Sequence, residues 1–425
     1  MTSANLRPRF ESITGAEHVS AADGLTIDQQ RPGLIVRPGS SDEVGACMRI
    51  CGEGGVAVVP AGLMNWLECG NTLRRADVVI SLSRMNRIIE YAPADLIAIV
   101  EGGVTIGQLY ETTAVQRQWL PLDPPGGPDS SVGAIAACAS NGPLRFGFGT
   151  PRDYVIGLRL AHINGEISKC GGKVVKNVAG YDMNKAYVGS FGTLAILTEV
   201  TFKLRPLPER SATVVLTSTS PEDLLRAASG ILTSELRPSS LFLTSGFSRW
   251  FDSGPVRSTV LLLRFLESNE AVEYQIGRTR VISSGCHASE LVEADASAAW
   301  SRVANVDREA STCFTLSLPI SRAAEYALRL AGEVPKPVVA ADLGAGIIRM
   351  AFDVDDRRGA ELADCWRREV SSFGGTLTID RAPLEVRRRV GAWNDPGPAA
   401  VIMQRIKSSF DPDSLLSPGR FVAGL

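Results

Sequence analysis

The residues whose types and spacing carry most chemistry lie at 171–199, GGKVVKNVAGYDMNKAYVGSFGTLAILTE. A Gly-Gly pair leads to Lys173, Lys176 and Asn177, then to Gly180, Tyr181 and Asp182. The stretch closes on Gly189-Ser190-Phe191-Gly192-Thr193 and an apolar tail that ends at Glu199. Glycines at these intervals suit a backbone that bends sharply and lies close to a bound group. The lysines and Asn177 have the charge and donors to serve a diphosphate or the edge of a flavin ring, and Leu194 to Leu197 can offer strand amides and carbonyls to a base. A plainer reading is equally open on composition: a glycine-rich strand–loop–helix connection with two solvated lysines, since no glycine pattern is specific by itself.

Several function classes are excluded by composition. A chain of 425 residues is too long for one core, so two or three domains are expected. The formal charge of -2 and the lack of a basic run give no footing for nucleic acid. No apolar stretch approaches the ~18 residues that span a bilayer, and MTSANLRPRFESITG lacks the apolar core of a secretory signal. The expected location is the cytoplasm, with any membrane association made through partners. The eight cysteines form no Cys-x-x-Cys pair and no run that would hold an iron–sulfur cluster, so Cys47 and Cys51 are read as structural thiols on one helix face. With three dispersed histidines, no metal site is expected.

The positioning elements follow from hydrophobic patterning. Leu34–Val36 reads as a strand, and Ser40 with Glu43 opens a helix to about Glu53. A buried strand at 56–59 runs into Pro60-Ala61-Gly62-Leu63-Met64-Asn65-Trp66. Strands at Val78–Ser81, 88–91 and Ile97–Glu101 and a helix over 105–116 come next. This is a small βαβ unit leading into a larger α+β unit. No GxGxxG follows the first strand, which disfavours a Rossmann nicotinamide site. Within 120–142, Pro-Pro-Gly-Gly-Pro must be a loop, and Ser130-Ser131 opens a short helix whose first amides favour an anion. Residues 158–168 form a hairpin about Asn164-Gly165; His162 on it is read as a surface or core residue rather than a catalyst. A strand at 195–204 completes the sheet, and Pro206-Leu207-Pro208 marks a boundary. Beyond it two sets of alternating strands and helices suggest a sheet covered by helices on one face. After Pro383 come a Trp393–Pro398 turn, a helix over 400–410 and a proline-rich tail.

The order of residues is more specific than their composition. GGKVVKNVAGYD followed by VGSFGTLAILTE resembles the signature of the PCMH-type FAD-binding domain family that includes vanillyl-alcohol oxidase, alditol oxidase and D-lactate dehydrogenase. Within that family it is most similar to the FAD-binding E subunits of bacterial glycolate oxidases. The resemblance implies an α+β fold with a two-subdomain FAD-binding domain over 1–206. It further implies a ferredoxin-like α+β cap, for substrate or partner, over 207–382, and a segment 383–425 that returns to the FAD domain. By the same resemblance the backbone of Pro60, Ala61, Gly62 and Asn65, with Gly70 and Asn71 as further matches, holds the FAD diphosphate. Pro125, Ser131, Val132, Gly133, Ala134 and Gly142 are placed along the isoalloxazine and diphosphate. Asp153 and Gly157 enter the strand beside the flavin. Lys176, Asn177, Gly180, Tyr181 and Asp182 belong to the signature block, and Ile196 and Glu199 are set near the adenine or ribose. The chain departs from the pattern at two places: Leu63-Met64 follow Gly62 where further glycines are usual, and Ser417 replaces the asparagine of the FDP-x-x-x-x-NPG-[KR] tail in FDPDSLLSPGR. The first loop has no histidine for an 8α-histidyl link, so non-covalent FAD is expected.

Oxidising a 2-hydroxy acid needs a base for the hydroxyl proton and cations for the carboxylate. Relatives that do this alone carry a histidine-rich signature in their second half, where this chain has only His287. The resemblance therefore implies a subunit that passes electrons through FAD within a complex containing a second flavin subunit and an iron–sulfur subunit. Two alternatives stand beside it. One is a stand-alone FAD oxidoreductase acting on an alcohol or 2-hydroxy acid, with Tyr181, Lys185 or Arg381 near the ring; the other is a scaffold that has lost FAD.

Overall fold

The structure is a computed structural model and describes residues 3–173, 181–246 and 259–425. Contacts gather the chain into two units, one of 1–141, 150–207 and 395–425, the other of 142–149 and 208–394. Segments 142–149 and 383–394 thus make their contacts with the second unit.

The first unit contains two main sheets. In one, β1 (Val19–Ala21), β2 (Leu34–Val36), β4 (Val78–Ser81) and β3 (Val58–Ala61) lie in the order β1-β2-β4-β3, with β2 and β3 both parallel to β4. Helices α1 (Ser3–Thr14) and α2 (Ser41–Gly54) accompany it. The Ser40 Oγ accepts the Glu43 amide at 3.1 Å to start α2, and Gly55, with φ 60°, ends it in the left-handed region. Val44, Cys47, Met48 and Cys51 recur at helical spacing and pack with Val36, Val58 and Ile80. Burial pushes the Cys47 thiol up to about 12 and the Cys51 thiol higher still, which suits their packing role.

The second sheet is antiparallel throughout. It holds β5 (Ile88–Ala92), β6 (Ile97–Glu101), β8 (Val155–Ala161), β9 (Ile167–Gly171) and β10 (Ile196–Lys203) in the order β5-β6-β10-β8-β9. Between its strands run α3 (Ile106–Ala114), opened by a Thr105–Gln108 capping box, α4 (Val132–Ala137), and the single turns α6 (Pro151–Tyr154) and α7 (Asn184–Tyr187). Strand β7 (Gln118–Trp119) pairs with β11 (Arg205–Pro206).

The second unit is an eight-stranded antiparallel sheet of β12 (Arg210–Thr217), β13 (Ser240–Ser245), β14 (Val260–Glu267), β15 (His287–Glu290), β16 (Thr312–Ser317), β17 (Val338–Asp342), β18 (Ile347–Phe352) and β19 (Thr376–Arg381), in the order β15-β12-β14-β13-β17-β18-β16-β19. Its helices are α5 (Arg145–Phe148), α8 (Pro221–Leu232), α9 (Asn269–Ile282), α10 (Glu293–Ala304), α11 (Ile320–Glu333), α12 (Asp356–Ser372) and α13 (Leu384–Val390). Val214 and Leu216 share a core with α8, α9, α11 and α12, while Val215 between them packs on the opposite face with Trp300 and Val303 of α10. The one-faced helical cover expected from the pattern therefore holds for four helices, and α10 adds a partial cover to the other side. The Trp300 Nε1 donates to Thr213 Oγ1 at 2.9 Å, which pins that helix. Strands β13, β15, β17 and β19 are additions to the expected set. Among the described residues no helix is long and apolar enough to cross a membrane.

Candidate functional site

The site grows from the carboxyl end of β3, inside a parallel pair, where an α/β sheet leaves room for a ligand. The chain leaves the sheet at Ala61, whose carbonyl accepts the Leu82 amide at 2.8 Å; the Ser81 Oγ donates to the Gly62 carbonyl at 2.9 Å. The loop that follows lines one cleft together with Ser130, Ser131, the start of α4, Phe191 and Gly192, the start of β10, and Ser417 and Arg420 of the C-terminal tail. The cleft is open to solvent and encloses about 850 Å³ of empty space including its mouth.

Glycines let three segments converge here. A Cβ on Gly62 would lie 1.9 Å from the Ser131 Oγ, one on Gly133 would lie 2.6 Å from the Gly102 carbonyl, and one on Gly102 would lie 2.4 Å from the Leu197 carbonyl. The absent glycines after Gly62 are replaced by conformation and burial. Met64 takes φ 63°, the left-handed region a glycine usually fills, and packs with Leu67 against a cluster of Ile27, Val59, Leu73 and Val79.

The structure brings Pro60, Ala61, Gly62, Asn65, Ser131, Gly133, Ala134 and Ile196 together in this cleft. The Asn65 side-chain amide donates to the Asp129 carbonyl at 3.3 Å, tying the two loops. Val132 is buried beneath them. Its amide and that of Gly133 donate to the carbonyls of Val104 and Gly102 at 2.8 and 2.9 Å. The expectation that the first amides of this helix face an anion is corrected for these two, which join the helix to the 102–104 backbone instead.

The remaining expected residues lie elsewhere. Pro125 uses its carbonyl to accept the Ser130 hydroxyl at 3.0 Å, and Gly142 belongs to the second unit. Asp153 accepts the amide and hydroxyl of Thr150 at 2.8 and 2.9 Å; burial pushes its carboxyl up, but these bonds prevail and hold it below its ordinary value. Gly157 pairs with Gly171 inside the sheet. Glu199 is ion-paired with Arg159 at 3.2 Å. Tyr181 is 95% exposed, and Asp182 accepts the side-chain amide of Asn184 at 3.0 Å. None of these lines the cleft. Lys176, Asn177 and Gly180 lie outside the described residues. Lys185 donates to the Arg152 carbonyl, and Arg381 sits on β19 of the other unit. His162 is buried, with Nε2 2.7 Å from the Ser168 hydroxyl and its ring stacked 5.7 Å from Phe410; burial pushes its pKa below the ordinary value.

Sequence reasoning missed part of the wall: Trp66, Leu67, Cys69, Gly102, Cys138 and Arg420. The Gly102-Gly103 doublet was the available signal for the β6 side, since a Cβ on Gly103 would lie 2.1 Å from the Leu82 carbonyl.

The tail after α14 (Ala399–Phe410) is fastened by two buried ion pairs. Lys407 Nζ meets Asp411 Oδ2 at 2.5 Å and donates to the carbonyls of Thr193 and Leu416 at 2.7 and 3.0 Å. Burial pushes the Lys407 ammonium below its ordinary pKa, opposed by Asp411. The tail then pairs with β3: Val58 donates to Leu415, and Ser417 donates back to Val58. Arg420, 4% exposed, pairs with Asp28 at 2.9 Å. Residues 395–425 thus make their contacts within the first unit, whereas 383–394 belong to the second.

Residues 32–171, which span the β3 loop, the Gly102-Gly103 doublet and α4, match the FAD binding domain family. The chain thus carries an FAD-binding domain over these residues and is an FAD-dependent oxidoreductase. Among sequence relatives, the mitochondrial D-lactate dehydrogenase (cytochrome) of Arabidopsis thaliana is 26% identical over 92% of this chain and 73% of that protein. Glycolate oxidase subunit GlcD of Bacillus subtilis is 32% identical over 55% of this chain and 49% of that subunit, so this chain spans about half its length. The same fold is found in 4-ethylphenol oxidase from Gulosibacter chungangensis, with a TM-score of 0.74, 17% identity, and coverage of 98% of this chain and 96% of that one.

The cleft has the chemistry to accept such a cofactor. Its walls are backbone and apolar side chains, closed up where glycines remove a Cβ, with Asn65, Ser130, Ser131, Ser417 and Arg420 among the polar points. Among the described residues lining it there is no Asp, Glu, His, Lys or Tyr, so the lining side chains offer binding and orientation rather than a general base of the usual kinds.

Proposed function

We propose that this chain is the FAD-binding subunit of a 2-hydroxy-acid dehydrogenase complex, similar to the glycolate oxidase E subunit. In this reading it takes electrons from a 2-hydroxy acid such as glycolate or D-lactate through non-covalent FAD to an iron–sulfur partner subunit, beside a second flavin subunit. The observation that carries the reading is the convergence of the β3 loop, α4, β10 and the C-terminal tail on one cleft whose lining, among the described residues, has binding groups and no carboxylate, imidazole or amine base. The match to a glycolate oxidase subunit supports the assignment to a complex.

Bound FAD supplies a two-electron acceptor that can release electrons singly. The chain's own part is to hold it. Pro60, Ala61, Gly62 and Asn65 present the loop at the end of β3, Ser131, Gly133 and Ala134 form the facing wall, and Ile196 and Leu197 give an apolar side. In this reading 1–141 and 150–207 serve as the FAD domain, 142–149 and 208–394 as the substrate or partner domain, and 395–425 as the returning tail. No histidine lines the cleft among the described residues, and burial pushes the Cys138 thiol up, away from the thiolate a covalent link would use; both support non-covalent FAD. A second reading, a stand-alone dehydrogenase, is favoured by the match to D-lactate dehydrogenase over most of both chains.

The visible spectrum of the purified protein before and after acid precipitation tests the common part. A flavin band released into the supernatant is expected; a colourless protein that takes up no added FAD refutes both readings and leaves a scaffold. Adding 2-hydroxy acids to the flavin-loaded chain then separates them. Fast bleaching by the isolated chain supports the stand-alone enzyme, and bleaching only after co-purification with cluster-bearing chains supports the subunit.

A further inference from the structure

We propose that Arg420 is a positioning residue for the cofactor cleft: its guanidinium gathers the carbonyls of Leu67 and Asn71 and so sets the loop after β3 in its binding shape. The inference rests on the proposed reading of the cleft as the FAD site. It answers a specific problem, the lack of a glycine run in residues 60–71.

Arg420 Nη1 lies 2.7 Å from the Asn71 carbonyl and 2.9 Å from Asp28 Oδ2, and Nη2 lies 2.5 Å from the Leu67 carbonyl. The main chain adds to this fork. The Asn71 amide donates to the Arg420 carbonyl at 2.9 Å, the Asn71 side chain donates to the Phe421 carbonyl at 2.8 Å, and the Arg74 amide donates to the Pro418 carbonyl at 2.8 Å. Asp28 Oδ2 also accepts the Leu73 amide at 3.1 Å, so the counter-ion of Arg420 holds the same loop from behind. Residues 67, 69, 417 and 420 all line the cleft.

In a trans peptide the C=O and N–H point in opposite directions. Fixing the carbonyls of Leu67 and Asn71 therefore fixes the directions of the next amides, those of Glu68 and Thr72. A loop rich in glycine would reach its shape through permissive dihedrals. Here a planar fork with fixed donor directions imposes it from a residue some 350 positions away in the chain. Lysine cannot reproduce that geometry, because an ammonium is a point charge without the fork.

The test compares cofactor-stripped wild type with Arg420→Lys and Arg420→Met. FAD affinity is followed by fluorescence titration, and hydrogen exchange is followed across residues 66–74 in the apo protein. The expected result is at least tenfold weaker FAD binding and faster exchange in both variants, with lysine failing to rescue although it keeps a charge opposite Asp28. Wild-type affinity and exchange in Arg420→Lys overturn the proposal, since charge pairing alone would then suffice. Should Arg420→Met not fold, Arg420→Lys decides. Should wild type bind no FAD, the reading of the cleft fails, while unchanged exchange in apo Arg420→Lys would still overturn, and faster exchange still support, the role of Arg420 in shaping the loop.

Discussion

The Cα of Gly62 faces the Ser131 hydroxyl so closely that a Cβ on residue 62 would stand 1.9 Å from Oγ and 2.8 Å from the Ser131 Cβ. The loop leaving a parallel strand and the residue opening α4 are thereby brought into direct apposition, and the cleft lies along their junction. The requirement is one of space, because Gly62 has no positive φ.

Gly62→Ala should therefore weaken FAD binding by tenfold or more, with an overpacking cost of about 1–3 kcal/mol. Pairing it with Ser131→Gly, which removes the opposing side chain, should recover much of the loss. Isothermal titration of the two single variants and the double variant gives the coupling energy. Strictly additive effects would show that the two residues do not meet as described.

Lys407 and Asp411 form a pair with 1% and 0% of their side chains exposed, and together they hold the carbonyls of Thr193 and Leu416 and the amides of Leu415 and Leu416. Lys407→Met leaves a buried carboxylate without its cation and should cost about 3–5 kcal/mol. Adding Asp411→Asn should restore part of it, since an amide oxygen can still accept one of the backbone donors. Chemical denaturation measures both. A loss below about 1 kcal/mol for Lys407→Met would mean that the pair does not anchor the tail.

Much of this arrangement was legible because it depends on local patterns. Ser40 and Glu43 announced α2 and the 56–59 apolar run announced β3, while Gly62, placed by resemblance in the loop after β3, turns out to need its missing Cβ against Ser131. What escaped was set by partners distant in sequence. Arg420 is matched only to the last position of the tail motif, with no partner assigned, until Asp28, Leu67 and Asn71 are seen around it. The amides of Val132 and Gly133 looked free for an anion until the 102–104 backbone took them. Strand β17 (Val338–Asp342) carries two alanines and little β-branched character beyond Val338 and Val339; its place between β13 and β18 supplies the pairing that its pattern does not announce.

Asp342, at the end of β17, gives a pH dependence whose sign follows from its surroundings. Burial pushes its carboxyl up to about 7, partly offset by the amides of Ala345 and Gly344 and by Arg145. The folded state therefore binds a proton more tightly than the unfolded chain, whose carboxyl titrates near its ordinary value of 3.8. The stabilisation from the protonated form is full below that lower value and is lost as pH rises to about 7, with a slope of at most ~1.4 kcal/mol per pH unit from this one group. Asp342→Asn keeps an oxygen to accept the two amides and cannot ionise. Its stability relative to wild type should rise between pH 5 and pH 7.5 by about 1 kcal/mol or more, as read from urea midpoints at matched ionic strength. A variant-to-wild-type difference that stays flat across this range would place the Asp342 titration outside the window and remove burial as its governing cause.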